Sequence, residues 1–168
     1  MYEDLARAVL VEEDPAVFRA IERVRSRHPK LSDAELIERL ESSAAWRCAA
    51  VGAAVSAGGE MLGGLVAAAD LSYQVVSLTR LAAAMAQVRR RRLTVGERGL
   101  AAAGSLAVAG AAEGLRRAAS YLARRALGRR APGLVAGVSA LAGGAAAYAA
   151  VRVFARLSRE FVAGATRR

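Results

Sequence analysis

The sequence predicts an all-α protein: a bundle of about four long Ala/Gly-rich helices preceded by short amphipathic helices. Alanine, which has the highest helix propensity, occupies 42 of the 168 positions. Aromatic residues, which favour strands, make up only 5 %, and only three prolines interrupt the chain. These observations exclude an all-β fold and disfavour a parallel α/β sheet.

The first 43 residues form an acidic, amphipathic helical region in this interpretation. Residues 2–11 fit one short helix. Asp14-Pro15 has the pattern of an N-cap followed by a first helical residue, and predicts a helix from Pro15 to about Arg27. Ser32-Asp33-Ala34-Glu35 is a capping box, in which a serine and a glutamate satisfy each other's backbone donors, so another helix begins there.

Residues 44–168 form the basic Ala/Gly-rich bundle. Gly58-Gly59 and Gly63-Gly64 predict breaks or close-contact points in a long helical hairpin. Thr94 to Glu97 is a second capping box, and Pro132-Gly133 marks a further break. A seam with the apolar spacing of a coiled coil precedes the run Arg89–Arg92; its members are Leu71, Val75, Leu78, Ala82 and Met85.

Charge is unevenly distributed along the chain. The formal net charge of +10 combines a net −3 over residues 1–41 with a net +13 over residues 42–168. A block this basic attracts phospholipid headgroups, nucleic acid or an acidic partner. We expect lipid or anion binding at two arginine clusters, whose members are Arg89, Arg90, Arg91, Arg92, Arg116, Arg117, Arg124, Arg125, Arg129 and Arg130. The alternative is that these arginines bind nothing and form a solvated helix face. Nucleic acid is disfavoured because no aromatic stacking platform accompanies the arginines.

Residues 131–151 carry no charge and are long enough to cross a bilayer. Few of these residues strongly favour transfer into the bilayer, whereas four glycines, a serine and a proline disfavour it. The free energy of membrane insertion is therefore marginal. Arginines flank both sides, which leaves the orientation open. Both true spanning and surface contact remain alternatives at this point.

Small residues one helical turn apart suggest close helix packing. The glycines in these spacings are Gly59, Gly63, Gly110, Gly114, Gly133 and Gly137. Chance is a real alternative in a chain with 16 glycines. Glu60 and Asp70 lie in apolar surroundings, and we expect them to form structural ion pairs with arginines inside the bundle.

No residue pattern carries enzymatic chemistry, a metal or a cofactor. His28 and Cys48 are single residues of their types, whereas a zinc site or a thiol nucleophile needs partners. Lys30 is the only lysine and lies outside any phosphate-binding loop motif. We therefore expect a protein that is not an enzyme. Its acidic N-terminus, without a basic n-region, predicts no cleaved signal peptide.

Several features of residues 44–163 follow one another in a familiar order. A Gly-rich apolar helix from Val51 to Ala69 is followed by Asp70, which opens the next helix, and by the run from Leu81 to Val88. The turn Leu93–Arg98, then Pro132-Gly133, and a last Ala/Gly-rich helix with Tyr148 complete the series. In this order they resemble the GTPase-associated helical domain of unknown function in YcjF-like bacterial inner-membrane proteins, with a looser similarity to the EcsC family. The family usually has Tyr-Gly where this chain has Arg91-Arg92. The chain has no GTPase domain, so the resemblance implies membrane association and a GTPase partner acting in trans.

The favoured hypothesis is a membrane-associated helical protein that self-associates as a homo-oligomer or acts as an adaptor on anionic lipids. We expect it at the cytoplasmic face of the bacterial inner membrane, or in the cytoplasm. A soluble helical protein-interaction module is the second hypothesis, and nucleic-acid binding is the third.

Overall fold

The computed structural model describes residues 14–127 and 131–164, with side chains described outside 59–67 and 161–164. The helices in this part of the chain are α1 (Pro15–Arg27), α2 (Asp33–Val88), α3 (Val95–Leu127) and α4 (Pro132–Gly164). These residues contain no strand, and the predicted all-α class is confirmed. The helix predicted at 2–11 lies outside the described residues.

The helix ends follow the capping signals in the sequence. The Asp14 side chain accepts a hydrogen bond from the Ala16 N–H at 2.8 Å and caps α1. Ser32 and Glu35 form the predicted capping box at the start of α2. At α3 the Glu97 carboxylate accepts from the Thr94 N–H at 2.9 Å, and this hydrogen bond lowers the pKa of Glu97. Both predicted capping boxes are confirmed.

The arginine run caps the C-terminal end of α2. The Arg91 N–H donates to the Ala86 carbonyl oxygen at 2.9 Å, and Arg90 adopts a left-handed backbone with φ of 55°. This is the geometry of a Schellman motif, in which the left-handed position usually holds glycine. An arginine at this position therefore costs some backbone strain.

The 56 residues of α2 do not form one straight rod. At 1.5 Å per residue, a straight helix would hold Cys48 and Ser77 about 44 Å apart. Instead the Ser77 side chain lies next to the Cys48 thiol, and Asp70 lies close enough to act on the same thiol. Residues from 39–47 and from 73–84 also line one shared cleft. The helix therefore reverses direction between Cys48 and Asp70, as the predicted hairpin requires. We call residues 33–58 its outgoing arm and residues 68–88 its return arm.

The two arms of α2 form an antiparallel bundle with α3 and α4. The outgoing arm packs on α4, where the Trp46 and Tyr148 rings meet edge to face with centroids 5.5 Å apart. The return arm packs on α3, where the Thr79 hydroxyl donates to Ser105 at 3.3 Å. The chain thus runs up, down, up and down. We call the end that holds α1 and the α2–α3 connection the base, and the opposite end the tip.

One continuous core holds all four helices together. The predicted seam on the return arm is central to it, with Val75, Leu78 and Met85 almost fully buried. Val17 and Ile21 of α1 and Leu36 of α2 join the same cluster. The change in composition at residue 44 falls inside α2, so the described part of the acidic N-terminal region shares its core with the basic bundle.

Glycines allow the outgoing arm and α4 to approach closely. A Cβ atom at Gly143 would overlap the Ser56 hydroxyl and lie 2.6 Å from the Gly52 carbonyl oxygen. A Cβ atom at Gly144 would lie 3.1 Å from the Ala49 carbonyl oxygen. Only glycine therefore fits at position 143. The approach of Gly52 and Gly143 is the closest backbone contact among the described glycines.

Candidate functional site

The tip carries large apolar side chains that face solvent. Leu115 and Leu122 of α3 and Leu134 and Leu141 of α4 are between 60 and 77 % exposed. The exposed half of α3 also carries arginines: Arg125 lies about 60–80° around the helix from Leu115 and Leu122, and Arg117 and Arg124 lie about 140–180° from them. We call this set the tip surface; its members are Leu115, Tyr121, Leu122, Leu134, Val138 and Leu141, with Arg117, Arg124 and Arg125.

Leu115 and Leu122 are seven residues apart and share one face of α3. The structure turns that face outward: the buried positions of this stretch are Ala112, Arg116 and Ala123. An apolar stripe that faces solvent is typical of a surface that meets another apolar phase or partner. The tip surface therefore combines exposed hydrocarbon with positive charge.

Arg116 is not part of that positive surface. The sequence placed it among the lipid-binding arginines, but its side chain is buried between α3 and the return arm of α2. It donates to the Asp70 carboxylate at 2.9 Å and also pairs with Glu113 one turn earlier. The helical period explains the difference, because Arg116 lies about 100–120° around α3 from Leu115 and Leu122.

Asp70 forms the ion pair expected of it inside the bundle. Burial raises the pKa of its carboxyl group, against the opposing effects of the Gln74 side chain and the Arg116 guanidinium. One carboxylate oxygen, Oδ1, is buried with no hydrogen-bond partner among the described residues. Glu60, the other residue of this prediction, has a side chain outside the described set, as do Gly59 and Gly63.

The first arginine cluster lies at the base and lines a cavity of about 250 Å³. Arg90, Arg91 and Arg92 line it, whereas Arg89 is exposed and does not. Arg80 and Arg98, which no sequence pattern indicated, also line it. Arg91 pairs with Glu97, and Arg80 donates to Asp14 at 2.6 Å. We call this the base cavity.

The regularly spaced glycines that were predicted to pack helices together have no close neighbours among the described residues. Gly110, Gly114, Gly133 and Gly137 have open space where a Cβ would be, so they bring no helices together within the part of the chain that the structure describes. Close packing instead occurs at Gly52, Gly143 and Gly144, whose role depends on the pairing of distant segments. Arg129 and Arg130 lie outside the described residues.

His28 and Cys48 have structural positions in the fold. His28 is the exposed C-cap of α1, and Cys48 is buried in the core. Burial raises the pKa of the Cys48 thiol to about 11. Among the described side chains, no three His, Cys, Asp or Glu residues converge into a set that could hold a metal ion.

One helix in the described residues is long and apolar enough to cross a membrane by length and composition. It is α4 over Pro132–Glu160, and 39 % of its most apolar stretch is buried in the bundle. A core helix of a soluble protein meets the same criterion.

Comparison with known proteins adds no relative. The chain matches no protein-family model, and no curated protein or solved structure shows significant similarity to it.

Sequence reasoning missed Arg80, Arg98 and the exposed α4 side chains Leu134, Val138 and Leu141. The arginines carry no local signal, because the base cavity forms only when α1, the end of α2 and the start of α3 meet. The α4 residues lie in a uniformly apolar stretch. It has no regularly spaced polar residues to show which face of the helix is exposed to solvent.

Proposed function

We propose that the protein is a non-enzymatic, membrane-associated helical protein that binds anionic bilayers through the tip surface. The observation that carries this proposal is the exposure of Leu115, Leu122, Leu134 and Leu141 at the end of the bundle that also exposes three arginines of α3. Helices with this combination lie in the bilayer interface, with the apolar side chains among the acyl chains and the cations at the headgroups.

The energies are adequate for reversible binding. Transfer of a leucine side chain out of water contributes about 1.5–3 kcal/mol when burial is complete. Each arginine near an anionic surface contributes about 1 kcal/mol, and this part weakens as salt rises. Several leucines and three arginines therefore favour an anionic membrane over a neutral one.

Surface binding fits the packing better than spanning does. The bundle side of α4 is buried against the outgoing arm of α2 and against α3. Arg152 of α4 pairs with the buried Glu41 at 2.8 Å, which anchors this helix at the base. A spanning α4 would have to exchange these contacts for lipid, whereas surface binding through the tip leaves them intact.

A vesicle experiment tests the proposal. The full chain is sedimented with vesicles of phosphatidylglycerol or of phosphatidylcholine at low and at high salt. The test variant is Leu122→Glu with Leu141→Glu, at two strongly exposed tip positions. The matched control is Leu106→Glu, at a position of α3 that is 51 % exposed and about 24 Å along the helix from Leu122.

Support requires binding to phosphatidylglycerol vesicles that weakens with salt and falls at least tenfold in the tip variant, with the control unchanged. Absence of vesicle binding at low salt would overturn the proposal. Equal binding by the tip variant and the wild type would also overturn it, since the tip leucines would then have no part in it. Retention in membranes after alkaline carbonate extraction would show spanning instead of surface binding.

Binding to lipid through the tip surface also determines which end of the bundle can meet a protein partner. A tip anchored in lipid leaves the base and α1 facing the aqueous phase, free to meet a second copy or another protein. The resemblance to the GTPase-associated helical domain suggests a GTPase in trans as that partner. The native mass of the protein, with and without vesicles, distinguishes a homo-oligomer from a monomer that needs a different partner.

A further inference from the structure

Two cavities adjoin at the base of the bundle, and they differ in chemistry. One is the base cavity, lined by Arg80, Arg90, Arg91, Arg92 and Arg98. The other is a groove of about 350 Å³ between the start of α3 and the end of α4. Leu93 and Ala101 line both, so the two spaces are neighbours that meet at these residues.

The base cavity has an excess of positive charge. Five arginines line it, and two carboxylates pair with them in the described part of the chain, Asp14 with Arg80 and Glu97 with Arg91. Thr79 and Gln87 add neutral hydrogen-bonding groups to the wall. Guanidinium groups in this number suit a carboxylate or a phosphate, each of which accepts several charge-assisted hydrogen bonds.

The groove is apolar over nearly its whole lining. Leu100 and Leu157 are exposed at its rim, and Gly104 and Phe154 lie deeper. Ser158 is the one polar side chain among its described lining residues. The absence of a side chain at Gly104 keeps the groove open, with the nearest atom of Phe154 3.7 Å from where a Cβ would be. From Leu100 to Val108 it extends about 12 Å along α3, by the helical rise.

We infer that these two spaces form one binding site for a single-chain anionic amphiphile, with its acidic head among the base-cavity arginines and its alkyl chain in the apolar groove. Charge complementarity at one end and hydrocarbon at the other specify this class of ligand. Neither a neutral lipid nor a simple inorganic anion uses both parts. The two volumes together lie in the range of small-molecule sites, about 300–1,000 Å³.

This site is separate from the tip surface. Leu100 and Leu122 are about 33 Å apart along α3 at 1.5 Å per residue. Binding of one dispersed amphiphile at the base therefore does not depend on the proposed binding of bilayers at the tip. Each can fail without the other.

The test is isothermal titration calorimetry of the full chain with decyl phosphate and decanoate, each kept below its micelle-forming concentration. Decanol and inorganic phosphate serve as probes of the chain and of the head alone. Two variants fill the groove: Gly104→Leu, and Ala107→Phe at an exposed lining position where folding is less at risk. Their matched control is Gly110→Leu, on the same helix in open space.

The charged end is tested with neighbouring residues. Arg90→Gln removes a charge that lines the base cavity, and Arg89→Gln removes one beside it that does not. We expect Arg90→Gln to weaken decyl phosphate binding about fivefold, the effect of one charged contact, and Arg89→Gln to leave it unchanged. The two groove-filling variants should weaken it at least tenfold.

Saturable binding of one decyl phosphate per chain, at least tenfold tighter than decanol or phosphate, supports the site. A difference between decyl phosphate and decanoate identifies the preferred head. The inference is overturned if no saturable binding occurs, if phosphate alone accounts for the affinity, or if the folded Ala107→Phe variant binds as the wild type does. The Leu122→Glu with Leu141→Glu variant should retain decyl phosphate binding, which separates this result from that of the vesicle experiment.

Discussion

The Arg116 guanidinium donates a hydrogen bond to the Asp70 carboxylate at 2.9 Å, and the two side chains are 10 % and 1 % exposed. This pair fixes the rotation of α3 about its own axis. At 100° per residue, Leu115 and Leu122 lie about 100–120° around the helix from Arg116. Turning α3 to bury those leucines would expose Arg116 and leave Asp70 charged and alone. The ion pair therefore explains why the apolar face of α3 points outward.

Replacing Arg116 should destabilise the protein more than replacing Asp70. Arg116→Met leaves the buried Asp70 carboxylate without its cation, next to Glu113, which keeps only the exposed Arg117. Loss of one partner of a buried pair costs about 3–5 kcal/mol. Asp70→Asn leaves Arg116 paired with Glu113, so we expect a smaller loss. The double variant should cost less than the sum of the single ones. Urea unfolding of all four proteins measures these differences.

Arg117→Met is the matched control for this cycle. Arg117 also pairs with Glu113, but its side chain is 72 % exposed, and exposed pairs contribute about 0–1 kcal/mol. An Arg116→Met variant no less stable than Arg117→Met would show that the buried pair does not hold α3 in place.

The stability difference between the wild type and Asp70→Asn should depend on pH. Because burial raises the pKa of Asp70, the folded state holds this proton more tightly than the unfolded state does. The carboxyl group's contribution to stability is full below its ordinary value of about 4, and is lost as pH rises through the raised value. We expect the wild type to lose stability relative to Asp70→Asn as pH rises above about 4.

Urea unfolding of both proteins across this range provides the measurement. Subtraction cancels Glu35 and Glu97, whose pKa values are lowered by capping hydrogen bonds and whose contributions change in the opposite direction. A difference that stays constant with pH would contradict the raised pKa of Asp70.

Much of the fold could be predicted from the sequence because its signals are local. Both capping boxes, the start of α1 at Pro15 and the return-arm seam depend on residues within a few positions of one another. The hairpin in α2 was also predicted, from its glycines. The partners across the bundle could not be predicted, because alanine-rich helices offer many similar ways to pack.

The candidate sites show the same limit. Arg116 belongs by spacing to a basic cluster, and only the position of Asp70 on another helix shows that it faces inward. The glycines at regular spacing have open surroundings, whereas Gly143 matters because Ser56 and Gly52 lie against it. Long-range placement, which no local pattern encodes, decides each of these roles.

Cys48 should react slowly with thiol reagents in the folded protein. Its side chain is fully buried, and its pKa is raised to about 11, so about one thiol in a thousand is ionised at pH 8. Disulfide exchange with Ellman's reagent should follow the rate at which the protein opens, and become fast in urea above the unfolding midpoint. Reaction in native buffer as fast as that of a short cysteine peptide would contradict the buried placement of Cys48.

Adding a methyl group to two glycines of α4 should have opposite effects on stability. Gly143→Ala places a Cβ against Ser56 and the Gly52 carbonyl oxygen, and because a backbone atom cannot move aside easily, we expect a loss of about 1–3 kcal/mol. Gly137→Ala meets open space on the same helix, and replacing a helical glycine with alanine should gain about 0.5–1 kcal/mol. The intrinsic helix preference is the same in both variants, so the difference between them isolates the packing of the outgoing arm on α4. Thermal and urea unfolding of the two variants measure it. A Gly143→Ala variant as stable as Gly137→Ala would mean that the two helices do not approach at Gly52 and Gly143.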